Sequence, residues 1–299
     1  MFIVKHKAFF FWLTGLILAA AVGAIVVFGL PLGIDFTGGT LMKVSYGTER
    51  PALSDIQAQV SQVPLGPVSV RAVGDTEVAI RTRTMTPEEH TAVLSAISAN
   101  ASTTELAYTS VGPSLGSQFT AKAFWAILAV ILAIVVYIAF AFRKVSRPVP
   151  NWGYGLIVVA MLAIDIIVPT GFYAALCHYT GAEVDSLFVV ALLALLGYCV
   201  NDVIVIFDRI REHLANNDKT GLKESFEDTV GKSIDETMTR SINTGLTVVL
   251  ALAALIFLGA DATRDFALVM LVGVVAGTFS SIARSAPLLI PLAARFAKK

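Results

Sequence analysis

Apolar residues come in long unbroken runs along this chain, and between the first two runs the spacing changes to short alternations. A helix needs roughly 20 consecutive apolar residues to cross about 30 Å of hydrocarbon. Six runs meet that length, at about 9–30, 121–142, 154–177, 186–207, 241–259 and 266–292. The first follows Lys5 and Lys7 and contains AAAVGA, as a secretory leader would. Its apolar part continues to Leu30, longer than a usual leader core, which predicts an uncleaved anchor.

Between the first and second runs, GTLMKVSYG alternates as a strand does, and 52–62 has helical spacing. PVSVRAVG and TEVAIRTR predict a hairpin about Gly74 and Asp75. TPEEHTAVLSAISA opens as a helix should, with Thr86 as N-cap, Pro87 at the first helical position and acids in the first turn. TTELAYTSVG supplies a last strand. The order βαββαβ predicts a small ferredoxin-like α+β domain. It carries no Ser-His-Asp set and no metal cluster, and His90 reads as a solvated helix residue.

The predicted fold class is an α-helical multi-pass membrane protein, with six transmembrane helices and an extracytoplasmic α+β domain between helices 1 and 2. Its divisions are 1–30 (first transmembrane helix), 31–120 (extracytoplasmic domain), 121–207 (transmembrane helices 2–4), 208–240 (cytoplasmic connection) and 241–299 (transmembrane helices 5–6 and a cytoplasmic tail). Orientation follows from Lys and Arg near the span ends. Lys5, Lys7, RKVSR (143–147), the segment from Arg209 to Arg240 and the ARFAKK tail mark the cytoplasmic side. The opposite short loops, HYTGAEVD and GADATRD, hold only Arg264. Both termini are therefore expected in the cytoplasm. Within 208–240, Leu222, Phe226 and Val230 share one side of a helical pattern, which predicts a helix lying along the membrane surface.

Composition agrees with this class. The chain is 56% hydrophobic and 15% charged, with mean hydropathy +0.76, too apolar for a soluble domain. Its 22 basic and 22 acidic residues leave no net charge and no nucleic-acid footprint. Cys177 and Cys199 lie in apolar runs without metal or redox spacing and read as packing residues. No nucleotide-binding motif, metal site or cofactor site is expected, and the chain does not read as an enzyme.

The candidate chemistry lies inside the spans. With about 1.5 Å of rise per residue from Ser186, Asp202 lies roughly 24 Å along the fourth span, in its cytoplasmic third. Arg240 opens the fifth span at a similar level, and Asn243, Thr244 and Thr247 continue one face after it. An acid and a cation at matching depth on consecutive spans are natural partners, because a lone ionised side chain near the bilayer centre costs about 2.5–3.5 kcal/mol. Asn201 stands beside the acid. Asp165 lies near the middle of the third span, four residues before Pro169, whose missing N–H predicts a kink and a free carbonyl beside the carboxyl group. Such a site favours water or a proton.

Two alternatives stay open. One is a static pair, Asp202 with Arg240, that only orients two helices. Asp165 and Asp202 also raise an intramembrane aspartyl protease, which needs two carboxylates sharing one proton. Against the protease, the predicted depths differ, GYCVND lacks a Gly-x-Gly-Asp pattern, and Arg240 would keep an acid ionised. Arg284 is expected near the cytoplasmic edge, where it can snorkel. Gly273, Gly277, Ser281 and Ser285 recur every four residues and predict close helix packing, not chemistry.

Four motifs carry a resemblance: GIDFTGGT (33–40), SVGPSLG (110–116), GYCVNDVIVIFDRIRE (197–212) and TRSINTGLT (239–247). In this order they resemble the SecD/SecF family, on its SecF side, from first span to last. The resemblance implies an RND-like architecture and a role beside SecD and the SecYEG translocon, using protons to help draw unfolded preproteins across a bacterial inner membrane, among its lipids. It places the family's charged pair on Asp202 and Arg240, and its neighbouring polar residue on Asn201. Asp165 falls where many members have an acid preceded by His; Ile164 stands there in this chain, so no role for a His carries over. In GIDFTGGT, Gly33, Gly38 and Gly39 permit a tight reversal and Asp35 can cap exposed amides, so the segment reads as a hinge between span and domain. Competing functions are half of an RND-type small-molecule exporter, which would need a second half and larger outer domains, and a structural membrane subunit.

Overall fold

In hydrocarbon each backbone amide must find its partner within its own segment, so long apolar runs fold as helices. The computed structural model describes residues 2–47, 50–99, 101–142, 149–222 and 224–297. Among the described residues, six helical stretches are long and apolar enough to cross a membrane. A short α1 (Phe2–Lys5) precedes the first of them, α2 (Lys7–Phe28). The α+β domain follows, with α3 (Ile34–Thr37), β1 (Gly39–Tyr46), α4 (Leu53–Val60), β2 (Ser69–Val73), β3 (Glu77–Thr82), α5 (Pro87–Ser98) and β4 (Thr103–Val111). The remaining spans are α6 (Pro113–Ala141), α7 (Asn151–Thr180), α8 (Ser186–Thr220) and α9 (Phe226–Leu258). The sixth is α10 (Asp261–Ser280), continued through a π-helical turn (Ser281–Ser285) into α11 (Leu289–Ala297). RKVSR (143–147) and the last two lysines of the tail lie outside the described residues.

The chain forms two compact units. One comprises Phe28–Trp125 with Ala174–Ser186, and the other holds the bulk of the six spans. In the first unit the strands run β2-β3-β1-β4, all antiparallel, which is the ferredoxin-like order. Alternation in β1 works as read: Met42, Val44 and Tyr46 point into a core completed by Ile56 and Val60 of α4 and Val93 and Ile97 of α5. Helix α5 starts as its sequence dictates. Thr86 accepts from the Glu89 amide and Glu89 accepts from the Thr86 amide, a reciprocal capping box behind Pro87. His90 is not simply solvated. Its Nε2 lies 3.0 Å from Glu105 Oε1 and its ring packs 4.2 Å from Tyr108, because α5 crosses β4 at that residue.

In the second unit, Phe142, Tyr154 and Phe207 form an aromatic cluster with ring centroids 5.3–6.0 Å apart. Small residues bring the helix axes together. A Cβ on Gly171 would lie 2.5 Å from the Ala21 backbone, and Gly273 and Gly277 press against Leu195 and Cys199 of α8.

Helix α7 continues through Pro169, and the Thr170 hydroxyl donates to the Ile166 carbonyl at 2.7 Å. One expectation is corrected. Among the described residues of 208–240 there is no separate surface helix. Helix α8 extends into this segment as far as Thr220 and α9 starts at Phe226, with Leu222 61% exposed and Val230 buried. The mixed charges explain the difference, since they pair across the two helices: Arg209 Nε with Glu236 at 2.5 Å, and His213 with the same carboxylate at 3.0 Å.

Candidate functional site

Four helices of the membrane unit bring polar groups into one buried cluster. Helix α7 supplies Asp165, 2% exposed, and α8 supplies Asp202, 9% exposed, one helical turn from Cys199. The Asp202 carboxylate accepts hydrogen bonds from Ser241 of α9 through one oxygen and from Ser281, where the last span enters its π turn, through the other. Next to Ser281, Ser280 donates to Asp165 Oδ1 at 2.7 Å, and Cys199 interacts electrostatically with the same carboxylate. Two consecutive serines therefore hold acids from two different helices, and the two carboxylates lie within electrostatic reach of each other. A hydroxyl donating to an ionised carboxylate makes a charge-assisted bond, worth about 1.5–3 kcal/mol. These bonds compensate for burying the acids.

The charged partners differ from those expected. Arg240 is exposed, and no ion pair within 4.0 Å joins it to Asp202 among the described residues. Depth along the helix was legible, but direction was not: each residue turns the side chain by roughly 100°. Here Ser241, the next residue, faces the acid. Asn201, beside Asp202, is exposed as well. Arg284 does not snorkel. It is 5% exposed, and it interacts electrostatically with Asp165. The depths of Asp165 and Asp202 also do not disagree, since adjacent serines reach both. Ser281 belongs to the small-residue stripe read as packing; Gly273 and Gly277 do pack, while Ser281 binds the acid. Cys199, Ser241, Ser280 and Arg284 complete the cluster. For Ser280 and Arg284 the sequence signal was SSIARS (280–285), three serines and an arginine within an otherwise apolar span.

The segment GIDFTGGT forms a second constellation, in the α+β unit. The Gly33 amide donates to the Val184 carbonyl and the Val184 amide to the Pro31 carbonyl, each at 2.8 Å. Asp35 Oδ2 accepts from the Ser186 amide at 2.8 Å, so it caps the first turn of α8. Gly38 and Gly39 have φ of +74° and +121°, and a Cβ on them would lie 2.8 Å from Pro113 and 2.6 Å from the Thr82 carbonyl. Arg81 of β3 donates to the Thr37 hydroxyl at 2.6 Å and to Glu183 at 2.9 Å. The end of α2, the sheet, the start of α6 and the loop before α8 thus meet at this segment.

Both constellations lie within regions matched by family models. A family model described as protein export membrane protein SecD/SecF, C-terminal, matches residues 91–295, and the SecD/SecF GG motif matches residues 23–49. The protein translocase subunit SecF of Thermobaculum terrenum is 36% identical over 302 residues, covering 96% of this chain and 92% of the relative. That of Anaerolinea thermophila is 32% identical over 292 residues, with the same two coverages. A crystal structure of SecDF, a translocon-associated membrane protein from Thermus thermophilus, matches with a TM-score of 0.81 at 28% identity and covers 96% of this chain. SecDF in its super-membrane-facing form matches with a TM-score of 0.65, also at 28% identity, and covers 99% of this chain. This chain spans 38% of the length of either SecDF chain. The chain belongs to the SecD/SecF family, among its SecF protein translocase subunits.

Proposed function

We propose that this chain is the SecF half of a proton-driven complex with SecD in the bacterial inner membrane, with both termini in the cytoplasm. The complex works beside SecYEG and helps draw unfolded preproteins across the bilayer. The observation that carries this reading is the buried Asp202 carboxylate, held by hydroxyls from two other spans and next to a second buried acid. An ionised carboxylate only accepts hydrogen bonds, while its protonated form must donate one. Taking up a proton therefore reverses or releases one of the two serine bonds and changes how α9 or the π turn holds α8.

The energies are comparable. A proton crossing 100 mV delivers about 2.3 kcal/mol, and a charge-assisted hydrogen bond contributes about 1.5–3 kcal/mol. Protonation at this site is enough to bias a two-state arrangement of helices. Asp165 shares the load through the adjacent serine, and the GIDFTGGT segment, with Gly33, Asp35, Gly38 and Gly39, transmits the motion outward as a hinge.

The surface of the fourth and fifth spans supports a partner half. Asn201, Arg240, Asn243, Thr244 and Thr247 are all exposed. Polar side chains on a membrane-spanning surface need a cover other than lipid tails, and a SecD half supplies one. The test is Asp202→Asn, produced with its SecD partner. It should abolish proton-dependent secretion and leave assembly intact. Full secretion would end the proposal and favour a structural subunit.

A further inference from the structure

Arg284 has no part in the Asp202 switch, and its environment is unusual. The guanidinium keeps its charge at any physiological pH, yet the residue is 5% exposed in a π segment whose five side chains are all buried. A permanent charge in such a place is tolerated only beside an opposite one. The groups around it decide which. Both oxygens of Asp202 already accept serine hydroxyls. Asp165 accepts from Ser280 through Oδ1, and its Oδ2 is buried with no hydrogen-bond partner among the described residues, as is Arg284 Nε. The groups that act on Asp165 are Ser280 from α10, Cys199 and Asp202 from α8, and Arg284, the one cation among them, which reaches Asp165 across more than 4.0 Å and makes no direct ion pair with it among the described residues.

We propose that Arg284 is the fixed counter-charge of Asp165, turned inward by the π turn, and that it positions this acid beside Asp202. A π turn takes one more residue per hydrogen-bonded loop than an α turn and so resets which side chains face inward. Here Ser280 and Ser281 face the two acids and Arg284 follows them inside, where a regular helix end this close to the interface would let it reach water. Its importance for transport rests on the proton-driven reading above; the pairing itself does not.

The experiment uses the full chain with its SecD partner and four variants: Arg284→Gln, Arg284→Lys, Asp165→Asn, and Asp165→Asn with Arg284→Gln. Arg284→Gln leaves a buried carboxylate uncompensated and should lower the thermal midpoint in detergent by about 5–10 °C. The double variant should recover at least about half of that drop, because it removes both charges. Arg284→Lys keeps the charge and should retain proton-driven secretion that Arg284→Gln loses. A double variant no more stable than Arg284→Gln, or a Lys variant as impaired as Gln, would overturn the assignment. If Asp202→Asn secretes normally while the stability coupling holds, the transport reading falls and the pair stands.

Discussion

Asp35 accepts a hydrogen bond from the Ser186 amide at 2.8 Å, so a residue next to the first span caps the helix of the fourth, 151 positions along the chain. The first amides of a helix have no partner inside it, and a carboxylate there also meets the positive end of the helix dipole. Asp35→Ala should destabilise the protein by about 1 kcal/mol. Asp35→Asn, which keeps an acceptor oxygen, should cost less. Thermal midpoints of the purified variants check this, and equal values for Ala and wild type would remove Asp35 from the junction.

Gly39 is tied to the sheet in another way. With φ at +121° and the Thr82 carbonyl 2.6 Å from where its Cβ would be, it tolerates neither the strain nor the volume of a side chain. Thr40, the next residue, pairs with Thr82 in the β1–β3 ladder. Gly39→Ala should cost about 1–3 kcal/mol for backbone strain alone. The loss should appear as faster amide hydrogen exchange in β1 and β3 than in α5.

The α+β domain was legible because its signals are local. Alternation in GTLMKVSYG gave one buried face, and Thr86-Pro87 with Glu89 wrote a helix start whose bonds span three residues. The spans were legible by length for the same reason. What could not be read was the direction in which a residue faces. Arg240 and Ser241 stand at nearly the same depth, and only the packing of α9 against α8 decides which one meets Asp202. The π turn hid Arg284 more deeply, since a shifted helical register leaves no mark in a period of 3.6. SIARS looked like a snorkelling end and is a buried site.

The serine bonds to Asp202 can be isolated with a double-mutant cycle. Ser281→Ala and Ser241→Ala should each cost about 1.5–3 kcal/mol in the wild-type background, as charge-assisted bonds do. In the Asp202→Asn background each should cost much less, since the charge is gone. Chemical denaturation in mixed micelles gives the four corners of each cycle. Additive effects would mean that the hydroxyls pack beside the acid without serving it.

The α+β domain should respond to acid through Glu89. Its carboxyl is held below the usual glutamate range, first by its hydrogen bond with Arg83 and then by the Thr86 amide. A group whose folded value is depressed stabilises the fold above its unfolded value and stops doing so as pH falls through the folded one. Glu89→Gln should therefore lower the thermal midpoint at neutral pH and flatten its acid limb between roughly pH 5 and 2, where the wild type loses the same contribution. An unchanged acid limb would show that the capping box does not sense protons.

Arg240 and Arg284 should behave as opposites. Arg240 is exposed on α9, while Arg284 is buried. If Arg240 faces a partner half, Arg240→Gln should leave the chain alone within about 0.5 kcal/mol of wild type, as surface substitutions do. The same variant should weaken association with SecD and reduce proton-driven secretion. If Arg240 were instead the buried partner of Asp202, removing it would strand a carboxylate and cost about 3–5 kcal/mol in the isolated chain. Thermal midpoints of wild type and Arg240→Gln, each alone and with SecD, separate the two cases. A deficit present without SecD returns Arg240 to the Asp202 site, and a deficit that needs SecD places it at the interface.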